Sequence, residues 1–233
     1  MDDKETIARR VALELHDGDL VNLGIGLPTL IAKFLVPGIE VFFQSENGII
    51  GMCPVPEAGM EDEYLTDAGG GFIGAVPGAC SLDSCLSFGL IRGGHLDVTV
   101  LGGLQVDEAG RLANWMVPRK MIPGMGGAMD LVTGAKRVIV AMTHMARGEP
   151  KIVRECSLPL TSLRRVDLVV TELAVIEPSD DGLLLKEVAP GVGRDRVVAA
   201  TGARLRLPAF VPEMPIAADR GAQGLDRSAP TAA

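Results

Sequence analysis

Three short apolar runs in the first half of the chain end in the same way, at small or polar residues where the backbone can turn sharply. Asp19–Leu23 (DLVNL) stops at Gly24-Ile25-Gly26, with Pro28 and Thr29 placed to open a helix to about Leu35. Val41–Gln44 stops at Ser45-Glu46-Asn47-Gly48, and Asp97–Leu101 (DVTVL) stops at Gly102-Gly103. Strands without a polar face have to be covered on both sides, and a chain that repeats strand, loop and helix covers them with its own crossover helices. The expectation is an open α/β fold: a mainly parallel sheet with helices on both faces.

The rest of the chain keeps that rhythm. Ile7, Val11 and Leu15 recur four apart in Asp3–Leu15, an amphipathic helix closed by Gly18. Further strands are predicted at Phe72–Val76, Leu112–Val117, Arg137–Met142, Val166–Thr171, Ala174–Glu177 and Leu183–Val188, and helices at Asp83–Ile91, Ala128–Thr133 and Arg194–Thr201. Breakers and acids between Pro54 and Thr66 read as an exposed rim loop. From Pro208 onward no periodic apolar face remains, so residues 1–207 are expected to form the domain and 208–233 a flexible or loosely docked tail.

Aromatics make up 3% of the 233 residues against 29 glycines, so the core must be aliphatic; at this length it needs neither disulfides nor a structural metal. A net charge of -8, with no basic cluster among aromatics, argues against a nucleic-acid partner. The N-terminus lacks the order of a signal peptide and no run of 18 apolar residues occurs, which reads as a cytoplasmic protein. Cys53, Cys80, Cys85 and Cys156 are irregularly spaced among small and apolar neighbours and are expected to be reduced and buried. His16, His95 and His144 have no partners at ligand spacing, so no metal site is expected.

The glycine loops do not match a nucleotide fingerprint: Thr29 follows Gly24-x-Gly26, and Met129 follows Gly124-x-Gly126, where a third glycine is required. What remains is two loop-to-helix junctions, which are either tight turns or places where backbone N–H groups meet a phosphate, a carboxylate or an oxyanion. His95 and Asp97 form at most a weak pair, and His95 reads as structural. Glu46 is the most informative acid. It sits at the carboxyl end of a strand, where open α/β sheets bind ligands, and is flanked by Ser45, Asn47 and Gly48. Such a carboxylate is a cap, a general base, or a nucleophile toward an acyl electrophile.

The motifs Gln44-Ser45-Glu46-Asn47-Gly48, Ile91-Arg92-Gly93-Gly94-His95-Leu96-Asp97, Leu112-Ala113-Asn114-Trp115 and Gly124-Met125-Gly126-Gly127-Ala128-Met129-Asp130-Leu131 occur in this order. With Asn22–Thr29 and Cys156–Thr161, they resemble the β subunit of the family I 3-oxoacid CoA-transferases over about residues 5 to 190. Gly102–Asp107 and Met116–Pro118 are most similar to the bacterial type acting on acetate, butyrate and acetoacetate. The resemblance implies that Glu46 is the nucleophile, forming a glutamyl-CoA thioester in a ping-pong reaction, and that the Gly127 N–H serves an oxyanion hole. It further implies that Gly24, Gly26, Asn47, Gly126 and Ala128 bind CoA or substrate, with CoA as a substrate and no cofactor or metal. A homologous α subunit in an α2β2 assembly is the implied partner. An acetoacetate–succinyl-CoA or 3-oxoadipate transferase is the alternative within the family, and a non-catalytic acyl-CoA or sugar-phosphate sensor the alternative outside it. The chain departs from the family pattern at Glu57–Glu63, at Arg119 and over the tail.

Overall fold

Helix α1 (Asp3–Ala12) opens the chain, and its last turn tightens into bonds from Leu13 to Arg10 and from Glu14 to Val11, so the helix ends before Leu15 while Leu15 stays buried. The computed structural model describes residues 2–55, 57, 59–118 and 126–218. Strand β1 (Leu20–Leu23) leads into a 3-10 helix at Leu27–Phe34, where the sequence pattern predicts a helix. Strands β2 (Phe42–Ser45), β3 (Ile49–Cys53) and β4 (Gly74–Ser81) follow, then α2 (Ser84–Arg92), capped by the Asp83 carboxylate accepting from Leu86 N at 2.8 Å. Next come β5 (Val98–Leu101), β6 (Gln105–Asp107), β7 (Leu112–Ala113), α3 (Ala128–Gly134) and β8 (Arg137–Ala141). The second half holds β9 (Met145–Ala146), β10 (Glu149–Pro150), β11 (Ile152–Val153), β12 (Leu168–Val170), β13 (Ala174–Ser179), β14 (Gly182–Val188), α4 (Arg194–Ala200) and β15 (Leu205–Arg206).

Ten strands form one sheet in the order β15-β14-β13-β12-β8-β5-β1-β2-β3-β4. The five from β12 to β2 are parallel, and antiparallel pairings extend the sheet to β14 on one side and β4 on the other, with β15 added parallel to β14. The central strands split their residues between two cores, as a doubly covered sheet requires. Val138, Val140 and Val169 face a cluster with Ile91 of α2, Leu131 of α3 and Val197 of α4, while Val98, Val100, Ile139 and Val170 face a cluster with Ile7 and Val11 of α1 and Ile31. β1 lies between β2 on one side and β5 on the other, so the direction of strand addition reverses there, which marks a crevice at the carboxyl edge. Among the described residues, no helix is long and apolar enough to cross a membrane and no group of three His, Cys, Asp or Glu could hold a metal ion.

Two expectations are corrected. Residues 208–218 are docked rather than loose: Val188 N donates to Pro212 O, Met214 N donates to Val188 O at 2.8 Å, Met214 is buried, and Arg9 Nη1 of α1 donates to Ala217 O. Isolated buried side chains such as Met214, seated by backbone pairing onto β14, carry no periodicity for a sequence reading to detect. Residues 219–233 lie outside the described residues, as do Arg119 and Gly124. None of the cysteines is in a disulfide, but Cys80 and Cys85 are exposed and only Cys53 and Cys156 half-buried. Cys80 lies on the edge strand and Cys85 in the first turn of α2, positions at which a small side chain meets solvent.

Past the ends of β8 and β12, His144 is buried between the Thr171 and Thr201 hydroxyls, 2.9 Å from each. Burial lowers its pKa from 6.5 to about 4, so the folded protein holds it neutral where the unfolded chain protonates it. The stability this supplies is complete above pH 6.5 and is lost as the pH falls toward 4, a change of about 3 kcal/mol attributable to this residue. Denaturant unfolding of wild type and His144→Gln across that range measures it; parallel pH dependences in the two would refute it.

Candidate active site

Glu46 is the first residue beyond β2, at the tip of a hairpin whose register pairs Ser45 with Ile49. The turn closes with Gly48 N donating to Ser45 O at 3.0 Å, and Leu82 N donates to Gly48 O at 2.7 Å. Gly48 has φ +126°, and a Cβ there would stand 2.1 Å from Leu82 O. Both facts demand glycine. Gly48→Ala is expected to cost about 3 kcal/mol or more, the sum of backbone strain and a clash with main chain that cannot yield. A denaturation midpoint close to wild type would contradict this.

The hairpin tip brings Glu46 against the start of α3. A Cβ at Gly127 would lie 2.9 Å from Glu46 Cγ and 3.2 Å from Oε1, so the side chain occupies the space that the missing Cβ leaves. Gly127 sits immediately before α3, at φ -83° and ψ 1°. The position of α3 is set by α2. A Cβ at Gly134 would stand 2.2 Å from Ile91 O, and Arg92 Nε donates to Asp130 Oδ1 at 2.7 Å. The other carboxylate oxygen of Glu46, Oε2, accepts from Asn22 Nδ2 of β1 at 3.2 Å. The Glu46 main-chain oxygen accepts from Ser87 Oγ of α2 at 2.9 Å, and Ser87 Oγ accepts from Gln44 Nε2 at 3.1 Å.

Of the residues singled out from sequence, Glu46 and Gly127 are therefore in contact. Ala128 is the first residue of α3, and Gly126 precedes Gly127 with φ +50°. Asn47 turns away: its Nδ2 donates to Thr66 O at 2.7 Å, tying the hairpin to the rim loop, which is also held by Ala68 N donating to Ser45 Oγ at 2.9 Å. Gly24 packs on β5, its N donating to Val100 O at 2.8 Å, and Gly26 is exposed at the start of the 3-10 helix. Asp97 does not engage His95. Hydrogen bonds from Lys136 Nζ at 2.6 Å and from Leu20 N hold its carboxyl below the usual range. Asn22, Gln44 and Ser87 were not anticipated, although a polar residue inside each of two apolar strands, DLVNL and VFFQ, was the signal available.

The arrangement offers a fixed carboxylate at the carboxyl edge of a parallel sheet, next to a loop-to-helix junction, with its own main chain anchored. Comparison with known proteins identifies the family. Residues 4–200 match the coenzyme A transferase family. The chain is 55% identical over 210 residues to the beta subunit of the acetate CoA-transferase of Escherichia coli (strain K12), covering 90% of this chain and 96% of that one. It is 50% identical over 205 residues to a subunit of the succinyl-CoA:3-ketoacid coenzyme A transferase of Helicobacter pylori, covering 88% and 99%. In structure it resembles the acyl-CoA transferase YdiF of Escherichia coli O157:H7, with a TM-score of 0.74 at 23% identity over 92% of this chain, and spans 43% of that longer chain. With the doubly covered sheet in place and the match running through both Glu46 and Gly127, the chain belongs to the coenzyme A transferase family.

Proposed function

We propose that the chain is the β subunit of a CoA-transferase that moves CoA between a short-chain acyl-CoA and a carboxylic acid such as acetate or acetoacetate, with Glu46 as nucleophile. The observation that carries this reading is the Glu46 carboxylate, placed at the carboxyl edge of the parallel strands and seated in the gap at Gly127. A Glu46 oxygen attacks the acyl carbon and the C–S bond breaks, leaving CoA thiolate and a mixed anhydride. The thiolate attacks the Glu46 carboxyl carbon, and the acid departs with the oxygen that carried it. The product is a glutamyl-CoA thioester. The acceptor acid then runs both steps in reverse. Carboxylates and thioesters exchange without net proton transfer, so the chemistry calls for no metal or cofactor. The Gly127 N–H is the proposed oxyanion donor, with Gly126 and Ala128 shaping its loop. Gly24 and Gly26 are proposed to meet CoA, while Asn47 supports the rim.

An α subunit is the proposed partner, in an α2β2 assembly in the cytoplasm. CoA is a polyanion and this chain carries a net -8, which favours a partner that supplies cationic contacts. Ile25, just past β1, and Phe72, bridged to Thr66 of the rim loop, are also 70% and 54% accessible, large apolar side chains that a partner would cover. The Escherichia coli relative supports acetate, and the Helicobacter pylori relative supports succinyl-CoA with a 3-ketoacid as second reading. The test is to incubate the chain, co-expressed with its partner, with acetoacetyl-CoA, reduce with borohydride and locate the modification by mass spectrometry. Reduction at Glu46 is expected; labelling at another residue overturns the reading. A panel of donors and acids separates the two substrate classes, and a preference for dicarboxylic 3-oxoacids would rule out the short-chain assignment.

A further inference from the structure

Asn22 lies mid-strand in β1 and is 1% exposed, between Val21 and Leu23 along the strand and level with Gln44 of β2 and Thr99 of β5 across the sheet. Its side-chain nitrogen faces three acceptors: Gln44 Oε1 at 2.9 Å, Gln44 O at 3.2 Å and Glu46 Oε2 at 3.2 Å. The opposite amide orientation would set oxygen against three oxygens, so the donor must point at Glu46. The rest of the network then has one direction. Gln44, accepting from Asn22, presents its own N–H groups to Ser87 Oγ, and Ser87 spends its proton on the Glu46 main-chain oxygen. The loop of bonds leaves from the Glu46 side chain and returns to the Glu46 backbone.

We propose that Asn22 is a catalytic residue: its N–H meets the Glu46 oxygen that becomes an oxyanion whenever CoA thiolate or an acid adds to the Glu46 carboxyl carbon, and Gln44 and Ser87 are positioning residues that fix that amide. The proposal rests on Glu46 being the nucleophile. Oε1 faces Gly127 and is the oxygen that takes up and releases the acyl group, while Oε2 stays on Asn22. When thiolate adds to the carboxyl carbon, the carbonyl electron pair moves onto Oε2; it returns as the bond to Oε1 breaks and the acid leaves. In the resting carboxylate the charge is shared between two oxygens, and the bond to Asn22 is long. In the adduct the charge is localised on Oε2, so the same donor binds the transition state more strongly than the ground state.

Stability alone does not account for asparagine here: its Nδ2 serves buried Gln44, but among the described residues its Oδ1 is buried with no partner, as is Oγ1 of Thr99, the in-register neighbour on β5, and a buried unpaired acceptor is destabilising. The test compares wild type, Asn22→Ala and Ser87→Ala, each assembled with its partner, in steady state and in rapid-quench formation of the glutamyl-CoA thioester. Asn22→Ala is expected to lower kcat and the rate of thioester formation about 100-fold, with KM for acyl-CoA within about 3-fold and Tm within about 3 °C of wild type. Ser87→Ala, acting through Gln44, is expected to lower kcat about 5- to 10-fold with KM unchanged. A loss confined to KM, or thioester formation within 3-fold of wild type in Asn22→Ala, overturns the proposal; if that variant fails to fold, wild-type rates in Ser87→Ala overturn it. Borohydride labelling of wild type keeps the two failures distinct: labelling away from Glu46 removes the nucleophile, whereas labelling at Glu46 with an unimpaired Asn22→Ala removes only this role.

Discussion

Glu46→Gln is expected to abolish turnover, lowering kcat by about 10⁴-fold or more, while the protein folds and assembles as before. Gln matches Glu in shape, so the side chain can keep its place against Gly127 and its amide oxygen can still accept from Asn22; the main-chain bond from Ser87 does not involve the side chain at all. On the proposed mechanism, what disappears is the anionic oxygen that attacks the thioester, and with it every covalent intermediate. Steady-state assay of the assembled variant, together with thioester trapping, checks this. A Glu46→Gln enzyme that retains a tenth of wild-type turnover would show that the carboxylate is not the nucleophile and would leave only an orienting role for the hairpin tip.

The position of Glu46 was legible in the sequence because chain order alone fixes it: an apolar run ends at Gln44-Ser45 and polar residues follow. The turn that carries it was legible only in part. Ile49–Cys53 forms β3 and returns antiparallel to β2, so Glu46 tops a hairpin and does not enter a helix. Two adjacent isoleucines followed by Gly51 have no alternation to announce a strand, and β3 gains its partners from β4, some 25 residues away in the chain. Family resemblance put Glu46 and Gly127, some 80 residues apart, in one site; their contact is a tertiary fact, set by α2 packing on α3 through Gly134. Asn22 shows the opposite limit. A polar residue in a buried strand was in plain view, but its meaning depends on β1 lying beside β2 in a register that sets Asn22 level with Gln44. Strand order and register are tertiary facts, and no local pattern in DLVNL encodes them.

Gly127→Val probes that tertiary contact with the second-largest expected loss, about 10³-fold in kcat. The backbone of Gly127, at φ -83° and ψ 1°, is open to any L-residue, so no strain arises from the main chain. The effect is purely one of space. A Cβ would stand 2.9 Å from Glu46 Cγ and 3.3 Å from Cδ, and the branched methyls of valine widen the intrusion. The obstructing atoms belong to a flexible side chain whose outer end can swing away, so stability should fall little, in contrast with Gly48→Ala, where the obstacle is the Leu82 carbonyl. Swinging away carries the carboxylate off the Asn22 donor and out of line with the acyl carbon, and displacement by about 1 Å at a reacting centre costs on the order of 10²-fold or more. Gly127→Ala should fall between wild type and valine, because one methyl demands a shift of only a few tenths of an ångström. The graded series, kcat falling from Gly to Ala to Val at nearly constant Tm, is the result to look for. Equal activity in all three would mean that the gap at Gly127 does not position Glu46, whereas a loss of Tm parallel to the loss of kcat would assign the glycine to packing of α3 instead.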